Sequence, residues 1–102
     1  MEHFRGDTII KKIVSDNYQF RKGDKMKVAI LKKVKDESYL YDNVITIDQD
    51  TNEFILEIPA KDTANLPTGK LLLELELTNI DGLVTTKQHE IFIKADGIYD
   101  RV

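Results

Sequence analysis

Between Lys70 and Thr78 the chain reads KLLLELELT, and the spacing of its leucines constrains the fold more than any other stretch. Leu71, Leu73, Leu75 and Leu77 fall at every second position, with Glu74, Glu76 and Thr78 on the opposite parity and Leu72 the one apolar exception. Successive side chains leave opposite faces of a pleated strand, so a period of two describes a strand with one buried face. Leucine and glutamate are also good helix formers. At 3.6 residues per turn, however, leucines so spaced would scatter around much of a helix and leave no apolar stripe. The strand reading wins. Thr78-Asn79-Ile80-Asp81-Gly82 follows with tight-turn chemistry, its Asp-Gly pair able to take positive φ. Leu83 to Lys94 then returns as the partner strand, ending in Ile91-Phe92-Ile93.

The rest of the chain repeats the pattern in shorter pieces. Met1 to Arg5 reads as a lead-in, and Thr8 to Val14 as a first strand. There Lys11-Lys12 interrupts Ile9, Ile10, Ile13 and Val14, which predicts a bulge or a change of sheet. Lys25 to Lys35 is the next strand, with Met26, Val28 and Ile30 inward and Lys25 and Lys27 toward water. Tyr39 to Ile47 is rich in aromatic and β-branched residues and reads as one or two strands. Glu53 to Ile58 alternates cleanly, Phe54, Leu56 and Ile58 in, Glu53, Ile55 and Glu57 out. Pro59 stops it because proline cannot donate to a ladder. Ala60 to Leu66 has room for one helical turn, closed by Pro67-Thr68-Gly69. About seven short strands and no long amphipathic helix predict an all-β, antiparallel β-sandwich with one short helical turn. Residues 1–95 are expected to form the sandwich, and residues 96–102 a short C-terminal tail.

A chain of 102 residues is one domain of common size and buries about 60–70% of its unfolded surface, enough for a core without staples. It has no cysteine, which excludes a disulfide framework and thiolate metal ligands. The polar start shows no signal peptide, and no apolar run approaches a membrane span, so no membrane partner is expected. Net charge is −3 but unevenly spread. Residues 1–35 hold ten Lys or Arg against four acids, net +6, and residues 36–102 hold five against fourteen, net −9. The lysines are not interleaved with stacking aromatics, so nucleic acid is not an expected partner either. Opposite charges on neighbouring strands account for the pattern most simply; a surface that draws identical subunits together head to tail is the alternative.

No chemical constellation forms. Asp48-Gln49-Asp50-Thr51-Asn52-Glu53 begins like a calcium loop, but Glu53 stands where the loop needs glycine and Pro59 where it needs a bidentate glutamate. Arg5-Gly6-Asp7 leads straight into Thr8-Ile9-Ile10 and reads as the start of a strand rather than an adhesion tripeptide at a loop tip. His3 and His89 are lone, and Glu74 with Glu76 is an exposed pair on one strand face. Catalytic residues, metal and cofactors are all read as none, and the chain is not expected to be an enzyme.

Two stretches together resemble a known family. Arg5-Gly6-Asp7-Thr8 with the β-branched residues after it, and Ala60-Lys61-Asp62-Thr63-Ala64-Asn65-Leu66-Pro67-Thr68-Gly69 with the long strand to Asp81-Gly82, are similar to small phage virion domains. Those domains are similar to the N-terminal domain of the upper baseplate protein of tailed phages infecting Gram-positive bacteria. The resemblance implies an Ig-like sandwich acting in a phage or prophage tail or baseplate, assembled in the bacterial host cytoplasm, with other virion proteins and further copies of itself as partners. That domain usually heads a longer protein, so a receptor-binding module would lie elsewhere. A carbohydrate-binding or host-surface-binding sandwich is the alternative, against which stands the absence of tryptophan. Partner contacts are expected at Ile98 and Tyr99 of the tail and at Lys25, Lys27 and Lys33.

Overall fold

The computed structural model describes residues 2–15, 19–33 and 38–95. Among these residues seven strands and one short helix follow in order: β1 (Glu2–Phe4), β2 (Ile9–Val14), β3 (Lys25–Leu31), β4 (Tyr41–Thr46), β5 (Glu53–Ile58), α1 (Ala60–Thr63), β6 (Gly69–Thr78) and β7 (Val84–Lys94). They form a five-stranded sheet, β1-β7-β6-β3-β4, and a two-stranded sheet, β2-β5. The chain leaves the larger sheet after β1, returns for β3 and β4, crosses again for β5 and returns for β6 and β7. That is the strand order of an immunoglobulin-like sandwich whose second sheet has two strands among the described residues.

The alternation of β6 sets the core. Leu71, Leu73 and Leu75 are buried and Leu77 packs partly buried at the far end. Antiparallel pairing places Leu73 opposite Ile30 and Leu75 opposite Val28, so β3 extends the same apolar face. Phe54, Leu56 and Ile58 of β5 close over it from the second sheet, and Ile55 between them is exposed as its parity requires.

Three details depart from the sequence reading. Glu2–Phe4 is a strand rather than a lead-in, and it pairs parallel with β7, Glu2 opposite Phe92 and Phe4 opposite Lys94. The first and last strands run in the same direction, so the sandwich is antiparallel everywhere among the described residues except at this edge. Second, β2 has no bulge: it pairs with β5 in unbroken register from Ile9 opposite Ile58 to Val14 opposite Glu53. Ile9-Ile10-Lys11-Lys12-Ile13-Val14 is simple alternation in which each face carries two apolar residues and one lysine. Third, β3 ends at Leu31 and β4 begins at Tyr41, both shorter than the apolar patterns around them.

The narrow second sheet explains the composition of β7. Only its last residues lie over the core, where Ile91 and Ile93 are buried. From Val84 to Glu90 every residue is exposed, although Lys87 and His89 share the parity of Ile91. Two strands cannot cover five, and the uncovered part of the inner face is polar.

Candidate functional site

The two stretches that carry the family resemblance meet in the folded chain. Between β1 and β2, Arg5-Gly6-Asp7 makes a tight turn in which the Asp7 amide donates to the Phe4 carbonyl at 3.1 Å and Gly6 takes φ of 88°. A side chain at that φ would be strained, which is why glycine stands there. The Gly6 amide donates to Thr63 Oγ1 at 3.1 Å, and the Thr63 hydroxyl donates to the Asp7 carbonyl at 2.8 Å, with the Ala60 carbonyl at 3.1 Å. Thr63 is fully buried at the end of α1. One hydroxyl thus ties the point where the chain changes sheets to the corner before β6. The tripeptide is the turn that leads into β2, held by a buried threonine.

A second junction joins the turn before β3 to the β6–β7 hairpin. Asp24 is fully buried, its Oδ2 accepting from the Arg21 amide at 2.9 Å and its Oδ1 from the Ile80 amide at 3.0 Å. Arg21 also reaches Asp81 across the surface at 2.8 Å. In the hairpin, Asn79 Oδ1 accepts from the amides of Asp81 and Leu83, and Gly82 takes φ of 87°. Asp24 was not singled out by the sequence, where Arg21-Lys22-Gly23-Asp24 reads as a plain polar turn. An aspartate directly before a strand was the only local sign.

Of the expected contact residues, Lys25, Lys27 and Lys33 fall among the described residues. Ile98 and Tyr99 lie outside the described residues, as does the rest of the tail from residue 96. β3 lies between β6 and β4, so Lys25 and Lys27 stand on a sheet face rather than at the margin expected of a contact strand. Lys25 is exposed, whereas Lys27 is half-buried under Tyr39, its Nζ 4.6 Å from the ring centroid and opposite Glu76 in the ladder. Lys33 is exposed beyond the other end of the strand.

Apolar exposure lies beside Lys27, at Tyr39 and Val44, and in two further places. Ile10, Val14 and Ile55 share the outer face of the two-stranded sheet, and Ile80, Leu83 and Val84 cluster at the β6–β7 turn. The open seam between β4 and β5 holds a cleft of about 630 Å³ lined by Tyr41, Asp42, Glu57, Lys61 and Asp62 among others. Burial there, with Asp62 and Asp42 adding to it, raises the Tyr41 hydroxyl above its ordinary pKa against the hydrogen bond from Asn43. A second cleft of about 320 Å³ follows at the Glu53 end of β5. Among the described residues no three His, Asp or Glu side chains group as metal ligands, and Asp50 of the calcium-like stretch accepts from the Lys22 amide at 3.0 Å. No helix among them is long and apolar enough to cross a membrane.

His89 is exposed, but His3 sits beside Ile93 on the inner face with Nε2 buried and without a hydrogen-bond partner. Burial lowers its pKa from the ordinary 6.5, and nearby positive charge including Lys11 lowers it further, against an opposing pull from Asp7. The unfolded chain therefore takes up this proton first. The His3 share of stability should be complete above pH 6.5 and decline as pH falls below it. Urea midpoints of the protein and of His3→Gln, compared at neutral and mildly acidic pH, should show the protein losing stability relative to the variant toward the acidic end; parallel slopes would remove His3 from the account.

Comparison with known proteins finds no matching family model, no similar curated protein and no similar solved structure.

Proposed function

We propose that this chain is a non-enzymatic structural component of a phage or prophage particle, placed in its tail or baseplate and working through protein–protein contacts. The observation that carries the reading is the Thr63 junction. The two motif stretches resembling virion domains lie 56 and 57 residues apart in sequence and meet through one buried hydroxyl. Their joint occurrence then has a physical reason, since each needs the other to satisfy its polar groups. The sandwich around them offers rigid faces and open strand edges, the surfaces an assembly part uses.

Particles purified from the bacterium that encodes the chain should contain it at a fixed ratio to their other tail proteins. Deletion of residues 96–102, where Ile98 and Tyr99 offer apolar anchors, should lower that ratio several-fold, because aromatic residues concentrate at interface centres. Full incorporation of the deleted chain would remove the tail from the argument. Complete absence of the protein from particles would overturn the function, and binding to a cell-wall glycan instead would install the carbohydrate reading in its place.

A further inference from the structure

β2 and β5 make a sheet of two strands, so among the described residues each has one ladder partner and one open edge. An open edge is a row of backbone donors and acceptors that can template another strand. The two edges differ in charge: β2 contains two lysines and no acid, β5 two glutamates and no base. Within the chain they already match. Lys12 stands opposite Ile55 with Glu53 and Glu57 on its diagonals, and its Nζ lies 2.9 Å from Glu53 Oε1. The seam beside the open edge of β5 adds Asp42 and Asp62 at one end and Asp48 at the other, against Lys61.

Symmetric pairing of two copies is disfavoured at both edges. A two-fold pairing of β5 with β5 brings glutamate against glutamate, directly when centred on Ile55 and diagonally when centred on Leu56. β2 against β2, centred on Lys11 or Lys12, sets lysine opposite lysine. Like charges directly opposite destabilise a strand pair, and lysines on an edge deter pairing with their own kind. The open edge of β2 against the open edge of β5 does the reverse. It repeats the chain's own antiparallel pairing, with Lys12 opposite Ile55 and between two glutamates. We infer that the chain associates head to tail with further copies of itself, the open edge of β2 in one copy adding to the open edge of β5 in the next. Ile10, Val14 and Ile55 of both copies then share the outer face of one continuous sheet. Such a contact is heterologous, so it closes into a ring or continues as a filament according to the rotation between copies.

The test is sedimentation velocity of the full chain over a concentration series at low and high salt. Association should be concentration-dependent and weaken with salt, because exposed charge pairs are screened. Lys12→Glu and Glu57→Lys should each weaken it about tenfold, since an attraction becomes a repulsion. Mixing the two variants should restore it, because the reversed charges then meet one another; a merely structural effect would not be restored. Thermal unfolding checks that each variant is folded, and Lys12→Gln replaces the reversal if it is not. A chain monomeric at every concentration, an association indifferent to both reversals, or a mixture as weak as its components would each overturn the inference. The inference concerns copies of this chain alone, so its failure leaves particle incorporation to be judged separately.

Discussion

Leu73→Ala should lower the stability of the domain by about 2–5 kcal/mol, the range for deleting a buried leucine side chain whose surroundings cannot fully collapse. Leu73 is 1% exposed at the middle of β6, opposite Ile30 in the ladder. Neighbours on two sheets define the space it fills, which makes relaxation into the cavity difficult. Domains of this size hold about 5–15 kcal/mol in all, so the change removes a large share and should lower the melting temperature by about 10 °C or more. Leu72→Ala supplies the contrast. The two residues are adjacent and chemically identical, but Leu72 is only half-buried on the opposite face, and its removal should cost well under half as much. Chemical unfolding of both variants measures the difference. Equal losses would mean that the register is wrong, since a slip of one residue exchanges the two faces.

The parts of the fold legible in the sequence were those in which local pattern and burial agree. β5 and the body of β6 alternate without exception at their buried positions, and the Asp81-Gly82 turn leaves little freedom in how β6 and β7 connect. β2 was harder because each of its faces carries one lysine, so neither is purely apolar and the true alternation resembled a bulge. β1 has three residues, too few for a period, and owes its place to β7. The central position of β3 was also invisible: its lysines describe which side faces water, and nothing local says that both of its edges are paired. The candidate contacts suffered from the same limit. Charge and exposure can be guessed residue by residue, but an open edge is a property of sheet order, and sheet order arises from pairings distant in sequence.

The buried carboxylate of Asp24 should be the most costly polar group to remove. Both of its oxygens are used within the chain, one by the amide of Arg21 three residues before it and one by the amide of Ile80, 56 residues after it. Its own carbonyl accepts from the Ile47 amide at 2.8 Å, and its amide donates to the Arg21 carbonyl at 2.9 Å. One residue therefore fixes the turn into β3, the exit from β4 and the tip of the β6–β7 hairpin. Asp24→Ala leaves two backbone amides without their acceptors, at a cost of about 1–3 kcal/mol for each one that water cannot reach, so about 3 kcal/mol in total is expected. Asp24→Asn keeps one acceptor oxygen and turns a donor toward the other amide, and should lose about half as much. Asp81→Ala breaks only the exposed ion pair with Arg21 and should change stability by about 0.5 kcal/mol or less. That order, alanine worse than asparagine at position 24 and both worse than the surface deletion, separates a buried anchor from a surface charge. Hydrogen exchange supplies the local readout, because the Ile80 amide should exchange much faster in Asp24→Ala than the Leu73 amide in the centre of the same sheet. If Asp24→Ala costs no more than Asp81→Ala, the hairpin is held by its own Asn79 turn, and the Asp24 link between the turn into β3 and that hairpin carries no weight.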